Sequence, residues 1–313
     1  MKVFYSEEVK KHKIANLPIL SLESTILAHG MPYPENYSFA KTTEDICRGL
    51  GVAPATIAVL DGDLCVGLSD DQLKRVCTDR NMLKLSKSDL PFALLKKQSG
   101  ATTVSATLWI AYKAGLFVFS TGGIGGVHRG IENHFDVSQD LTSLSNTPVI
   151  TISSGAKSIL DLPKTVEALE ALSIPVVGYK FNRFPSFYSR SSNIKVYSTL
   201  NTESQVVSLF YKHLDIGLRS SILIVNPIPK EDEIPKVKLD TIISEALDEA
   251  NEKKISGKSV TPFLLSSVVE KTNGRSLTAN ISLAKSNVFL GAKIAKELYK
   301  HDTLTKKFFR NDV

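Results

Sequence analysis

Lys157 stands in the run Ser153-Ser154-Gly155-Ala156-Lys157-Ser158-Ile159-Leu160-Asp161, directly after the apolar stretch Pro148 to Ile152. A lysine at a strand end among small and apolar residues suits a nucleophile. Its amine must shed a proton before it can attack carbon, and burial or a cationic neighbour favours that loss. The plainer reading is a surface lysine near a helix start, where the helix dipole disfavours a cation. The run resembles a phosphate-binding loop only superficially, because its Gly and Lys are not adjacent. Gly257-Lys258-Ser259 has that step, but Glu252 stands where the earlier glycine is required, which disfavours an NTPase.

A second candidate is Glu23, at the end of an apolar stretch and before His29-Gly30-Met31-Pro32-Tyr33-Pro34. A carboxyl there can act as a proton donor if burial raises its pKa, or can form a structural salt bridge. Phe119 to Gly130 runs from an apolar strand into Gly122, Gly123, Gly125, Gly126 and Gly130, with His128 and Arg129 among them. Such glycines let backbone N–H groups approach an anion. The spacing GxGxxG does not occur, so this is no dinucleotide fingerprint. In His134-Phe135-Asp136-Val137-Ser138-Gln139-Asp140, the two aspartates lie four apart and share a face if the segment is helical. Carboxylates without nearby Cys or paired His suit Mg²⁺ or Mn²⁺ better than zinc. Acids that stabilise a helix amino end are the competing explanation. Asn280 is expected to open an apolar helix, where capping alone explains it.

The elements that must position these residues alternate. Strands are expected at Pro18–Leu22, Thr56–Leu60, Leu64–Leu68, Leu116–Ser120, Pro148–Ile152, Pro175–Gly178 and Ser221–Val225. Asp61-Gly62 reads as the turn of a hairpin. Helices are expected over Asn36–Leu50, Ser69–Cys77, Thr103–Ala114, Lys164–Leu172, Thr202–Asp215, Leu239–Asn251, Thr261–Thr272 and Ala279–Tyr299. The segments 180–200 and 227–236 read as loops. Strands separated by helices predict an α/β protein with a largely parallel sheet, made mixed by the hairpin. Neither loop reads as a linker, so one domain over 1–313 is expected.

Composition narrows the partners. The 313 residues hold 38 Lys+Arg against 32 Asp+Glu, a net charge of +6. Five of those six excess charges fall in residues 1–14 and 293–313. A nucleic-acid-binding domain carries its basic stripe on the folded body, so solvated terminal helices are the better reading. Three cysteines without CxxC spacing argue against a disulfide framework or a zinc ribbon. No apolar run approaches the ~20 residues of a membrane helix. The first residues lack an apolar signal region, and the last three are no peroxisomal address. The cytosol is the expected compartment.

Taken in order, several strings resemble the pseudouridine-5′-phosphate glycosidases, the indigoidine-synthase-A-like family. They are Glu23-Ser24-Thr25-Ile26 with His29 to Pro34, Pro54 to Ala58, Ser86 to Pro91, Gly100 to Val104, Thr121 to Arg129, Phe135-Asp136 with Ser138 and Asp140-Leu141, Ser154 to Asp161, Asn226 to Pro229 and Ser276 to Ile281. The resemblance covers about Leu20 to Ala295. It implies a three-layer α/β/α sandwich and reversible cleavage of the bond between uracil C5 and ribose C1′, formally a hydro-lyase reaction. It implies Lys157 as the nucleophile, Glu23 as the proton donor and Asp136 at a Mn²⁺ site. It implies substrate contacts from Lys84, Thr103, Val104, Ser138, Gln139 and Asp140, with Thr121, His128 and Asn280 around sugar phosphate and base. It also implies a homotrimer. Gln139 departs from the small residue usual at its position, and Asn193 and Asn273 stand where glycines are common. Another lysine-dependent sugar-phosphate lyase, a silent sugar-phosphate-binding protein and a nucleic-acid module are the competing readings.

Overall fold

The computed structural model describes residues 2–132, 135–255 and 260–300, without the side chain of residue 251. Gly257-Lys258-Ser259, His134 and the charged residues from 302 to 312 lie outside the described residues. Among the described residues, eleven strands form one sheet: β1 (Val3–Tyr5), β2 (Ile19–Leu22), β3 (Ala53–Leu60), β4 (Asp63–Val66), β5 (Leu83–Leu85), β6 (Gly100–Thr102), β7 (Val118–Ser120), β8 (Ile150–Ser153), β9 (Val176–Tyr179), β10 (Ser198–Leu200) and β11 (Ile222–Val225). The order across the sheet is β1-β4-β3-β2-β7-β8-β11-β9-β10, with β6 branching from β3 and β5 beside β6. Among the described residues, β3 runs antiparallel to β4 and β6 while the remaining ladders are parallel. The mixed, largely parallel sheet is therefore as expected, and Asp61-Gly62 turns the hairpin with both residues at positive φ.

Side-chain alternation along the strands creates the three layers. Ile222 and Ile224 of β11 pack with the helices Glu203–Asp215 and Arg275–Lys300. Leu223 and Val225, between them in sequence, pack in the opposite core with the helices Gln139–Ser145, Leu162–Ala171 and Lys236–Glu252. Val118 and Phe119 of β7 divide between the same two cores. Near the β1 end, Ile57 and Val59 of β3 join Ala106 and Ile110 of the helix Val104–Lys113 in a third cluster. Strands that read as continuous apolar runs are thus buried on both faces. Among the described residues, no helix is long and apolar enough to cross a membrane.

Several expected boundaries shift. β1, β5, β6 and β10 have three residues each and were not expected. The last helix begins at Arg275, so Asn280 lies inside it and caps nothing. Asp136 precedes the helix Gln139–Ser145, so it does not share a helical face with Asp140. Lys157 is not at a helix start: four residues of loop follow it before the next helix, whose cap is Asp161, accepting from the Lys164 N–H at 3.1 Å. The segment 180–197 is irregular, with Phe184, Phe187 and Tyr188 buried within it, and the expected loop ends in β10.

Candidate active site at the carboxyl ends of β2, β7 and β8

β2, β7 and β8 are neighbours and parallel, with Leu22, Ser120 and Ile152 in register. The residues that follow them emerge together at one edge of the sheet. This is where open α/β sheets bind ligands. Glu23 follows β2, the loop Thr121–Gly126 follows β7, and Ser154-Gly155-Ala156-Lys157 follows β8. The latter two loops continue the pairing past the strand ends. Thr121 N–H donates to Ile152 O at 3.0 Å, Ser154 N–H to Gly122 O at 2.9 Å, Ile124 N–H to Gly155 O at 3.0 Å and Lys157 N–H to Ile124 O at 3.1 Å. The course is possible because Gly155 sits at φ +74°, where a Cβ would strike Pro185 O. Gly123 must also lack a side chain, since its Cβ would lie 2.6 Å from the Phe187 ring.

These loops border a cavity of about 280 Å³. Glu23, Lys84, Thr103, Val104, His128, Asp136, Ser138, Gln139, Asp140, Lys157 and Asn280 all line it. Thr121 does not; it stands behind Glu23 and donates its hydroxyl hydrogen bond to Glu23 Oε1. Lys157 Nζ donates to Gly123 O at 3.0 Å. Lys84 reaches the cavity from β5, and Thr103 and Val104 from the amino end of the helix Val104–Lys113.

Burial raises the pKa of the Glu23 carboxyl. The Lys157 charge, the Thr121 hydroxyl and the Lys84 charge oppose that rise, and Asp140 adds to it. Burial lowers the His128 pKa, against the pull of the Asp136 carboxylate 3.8 Å away. Asp140 is a structural anchor as well as a lining residue. Its two oxygens accept from the N–H groups of Ser105 at 2.9 Å and Gly125 at 2.8 Å, tying the glycine loop to the Val104–Lys113 helix. Gln139 bridges to the turn carrying Ser86, donating to Ser88 Oγ at 2.9 Å and accepting from Ser88 N–H at 3.2 Å.

Among the described residues, no group of three or more His, Cys, Asp or Glu side chains gathers as a metal cage. Asp136, 42% exposed at the cavity, is a lone carboxylate with His128 as its neighbour. That donor set fits a hydrated Mg²⁺- or Mn²⁺-like ion, which keeps several waters and binds through one or two carboxylates. It does not fit zinc.

His29 Nε2 and Asn280 Oδ1 are buried with no hydrogen-bond partner, and both residues line the cavity. Other contributors were not named from the sequence. Phe187 closes one side of it, and Thr261, Pro262 and Leu265 add a wall from the helix Val260–Lys271. Asn287 is fully buried beneath the loops, seven residues beyond Asn280 on the same helix. Two asparagines two turns apart, on a helix face otherwise carrying Ala279, Leu283, Ala284, Val288 and Gly291, were the available clue.

The sequence model of the family described as "Indigoidine synthase A like protein" matches residues 8–297. A relative from Caldanaerobacter subterraneus subsp. tengcongensis named "Pseudouridine-5'-phosphate glycosidase" is 47% identical over 295 residues, 94% of this chain and 96% of its own. A relative of the same name from Staphylococcus aureus is 47% identical over 296 residues, 95% and 96% of the two chains. The crystal structure of an indigoidine synthase A-like protein from Thermotoga maritima superposes with a TM-score of 0.87 at 35% identity, covering 95% of this chain and 97% of that one. A prealnumycin C-glycosynthase in complex with ribulose 5-phosphate gives a TM-score of 0.89 at 30% identity, covering 97% and 99%. A match of this extent, over an α/β/α fold shared along nearly its full length, makes the chain a member of the indigoidine-synthase-A-like family.

Proposed function

We propose that this chain is a pseudouridine-5′-phosphate glycosidase, reversibly cleaving the C–C bond between uracil C5 and ribose C1′. The observation that carries the reading is the pair Glu23 and Lys157. Both follow parallel strands, both line one cavity, and the Lys157 charge acts on the Glu23 carboxyl. Relatives sharing close to half of the sequence over nearly its whole length bear that name.

The chemistry accounts for this pair. An N-glycosidase has only to protonate a departing nitrogen, whereas here the leaving atom is carbon. The neutral Lys157 amine adds to C1′, the C1′–O4′ bond breaks, and O4′ takes the proton that nitrogen sheds. The nitrogen lone pair then forms a C=N bond as C1′–C5 breaks. The electron pair left on C5 takes the proton held by Glu23, whose buried carboxyl favours the protonated form. Water adds to the imine, its proton returns to Glu23, and the Lys157 amine departs from ribose 5-phosphate. One water is consumed for each uracil freed. The paired carboxylates of ordinary glycoside hydrolysis provide no such electron sink.

Lys84 and the amino end of the helix Val104–Lys113 suit the substrate phosphate. The unpartnered amide oxygen of Asn280 suits a donor on the uracil edge, and His128 lines the same cavity. Asp136 would hold the hydrated divalent ion, Mn²⁺ on the family resemblance, which would supply positive charge beside the phosphate. The same reading carries a homotrimer in the cytosol whose partner is one small phosphomonoester and no nucleic acid.

Incubation with pseudouridine 5′-phosphate, with and without Mn²⁺, should release free uracil. Borohydride with ribose 5-phosphate should leave a reduced adduct on Lys157. No uracil, no adduct, or full activity in Lys157→Ala overturns the reading. The C-glycosynthase holding ribulose 5-phosphate favours a second reading, a lysine-dependent enzyme for a different aglycone. That reading predicts the trapped adduct without uracil release.

A further inference from the structure

Three loops meet under the cavity, and one side chain from a fourth element touches all of them. Asn287 Nδ2 donates to Thr121 O at 2.9 Å and Gly122 O at 3.3 Å, in the loop after β7. It also lies 3.1 Å from Ser154 Oγ, in the loop after β8. Asn287 Oδ1 accepts from Asn226 Nδ2 at 3.0 Å, just beyond β11. Ser154 Oγ closes the circuit by donating to Asn226 O at 2.9 Å. The two backbone carbonyls require the nitrogen side of the amide, so the network itself sets the orientation of Asn287.

The two carbonyls it grips have a particular place. The Thr121 side chain holds Glu23, and Gly123 O holds Lys157 Nζ. Gly122 joins them. We infer that Asn287 is the positioning residue that sets the separation of proton donor and nucleophile, without touching substrate. A packing role alone would be met by an apolar side chain, as at its neighbours Leu283, Ala284 and Val288. A buried amide on two carbonyls instead fixes the loop in one place: without it Thr121 O loses the Asn287 donor, at a desolvation cost, while Gly122 O keeps only the Ser154 N–H.

The inference rests on the roles proposed above for Glu23 and Lys157, and the test separates the two. Asn287→Ala and Asn287→Asp are compared with wild type and with Val207→Ala, a core change on the helix Glu203–Asp215 away from the cavity. Asn287→Asp keeps the volume and the acceptor for Asn226 but faces the Thr121 and Gly122 carbonyls with a negative oxygen. It remains available should the alanine variant fail to fold. The expected result is a kcat for uracil release lower by about 100-fold with KM changed less than about threefold, the cost of a displacement near 1 Å. Trapping of ribose 5-phosphate on Lys157 needs the nucleophile alone and should slow less than about tenfold. Val207→Ala should lower Tm while leaving kcat, KM and trapping as in wild type. If either folded Asn287 variant retains wild-type kcat, or loses trapping and release equally, Asn287 is structural only. If wild type releases no uracil, the proposed function fails first.

Discussion

Replacing Gly123 by alanine puts a methyl carbon 2.6 Å from Cδ2 and Cε2 of Phe187 and 3.3 Å from Gly155 O. Ordinary contact begins near 3.4 Å, so about 0.8 Å must be found by moving the ring or the loop. The ring has little room. Phe187 is 2% exposed and packs edge-on against Tyr188 at 4.7 Å between centroids. The loop therefore yields, carrying Gly123 O away from Lys157 Nζ. A 3.0 Å hydrogen bond lengthened by that amount is lost. Overpacking of this kind costs about 1–3 kcal/mol. For a chain of this length that is a Tm lower by roughly 2–5 °C. A catalytic group displaced by nearly 1 Å costs about 100-fold in rate. Calorimetry and initial rates of uracil release read both numbers. Gly49→Ala is the control: it lies in the helix Glu35–Gly49 with nothing within 4 Å of the added carbon, and should be neutral or stabilise by up to about 1 kcal/mol. Wild-type kcat and Tm in Gly123→Ala would refute the argument that Phe187 and Gly123 jointly aim the lysine.

Three further outcomes follow from the same site. Glu23→Gln should abolish turnover yet raise Tm at pH 8 and not at pH 4. The folded-state pKa of Glu23 is raised, so the native protein binds the proton more tightly and loses stability as pH rises through that pKa; equal Tm gains at both pH values would contradict the burial argument. Thr121→Val removes the donor that holds the Glu23 pKa down, so the pH limb of kcat assigned to Glu23 should move upward, and a downward shift in the rate profile would show the opposite coupling. EDTA should reduce uracil release and added Mn²⁺ restore it in wild type but not in Asp136→Asn; isothermal titration of Mn²⁺ into both proteins checks binding apart from turnover.

The sequence was most informative where burial leaves its mark on composition. β3, β7, β8 and β11 are mostly apolar and buried at every residue because both faces are covered, and each was legible. β5 and β6 were not. Leu83-Lys84-Leu85 and Gly100-Ala101-Thr102 are too short for periodicity to show, and pairing gives them their shape. Lys84 was named while the strand that carries it was not. Glu23 and Lys157 were legible as strand-end residues, and the family strings drew the rest of the lining together. Distance along the chain hid Asn287, which lies 166 residues from the Thr121 carbonyl it binds. The four-residue spacing of Asp136 and Asp140 misled because the chain turns into a helix only at Gln139. The segment 180–200 read only as a loop, yet it supplies the ring that fills the space beside Gly123.

The backbone ladder between Thr121–Ile124 and Ser154–Lys157 has a consequence for how such a protein can change over generations. Ile124 bridges Ala156 in parallel register, and Gly155 at φ +74° sets the path just before it, so the course of both segments is fixed residue by residue. Adding or removing a single residue in either segment puts these bonds out of step and draws the Lys157 amine away from Gly123 O. Substitution can be tried there one atom at a time, but length cannot. New specificities in this lineage would therefore arise by exchanging wall residues such as Gln139, Thr261 or Leu265, or by growth at distant turns such as Gly217-Leu218, while the segment lengths around the lysine stay constant.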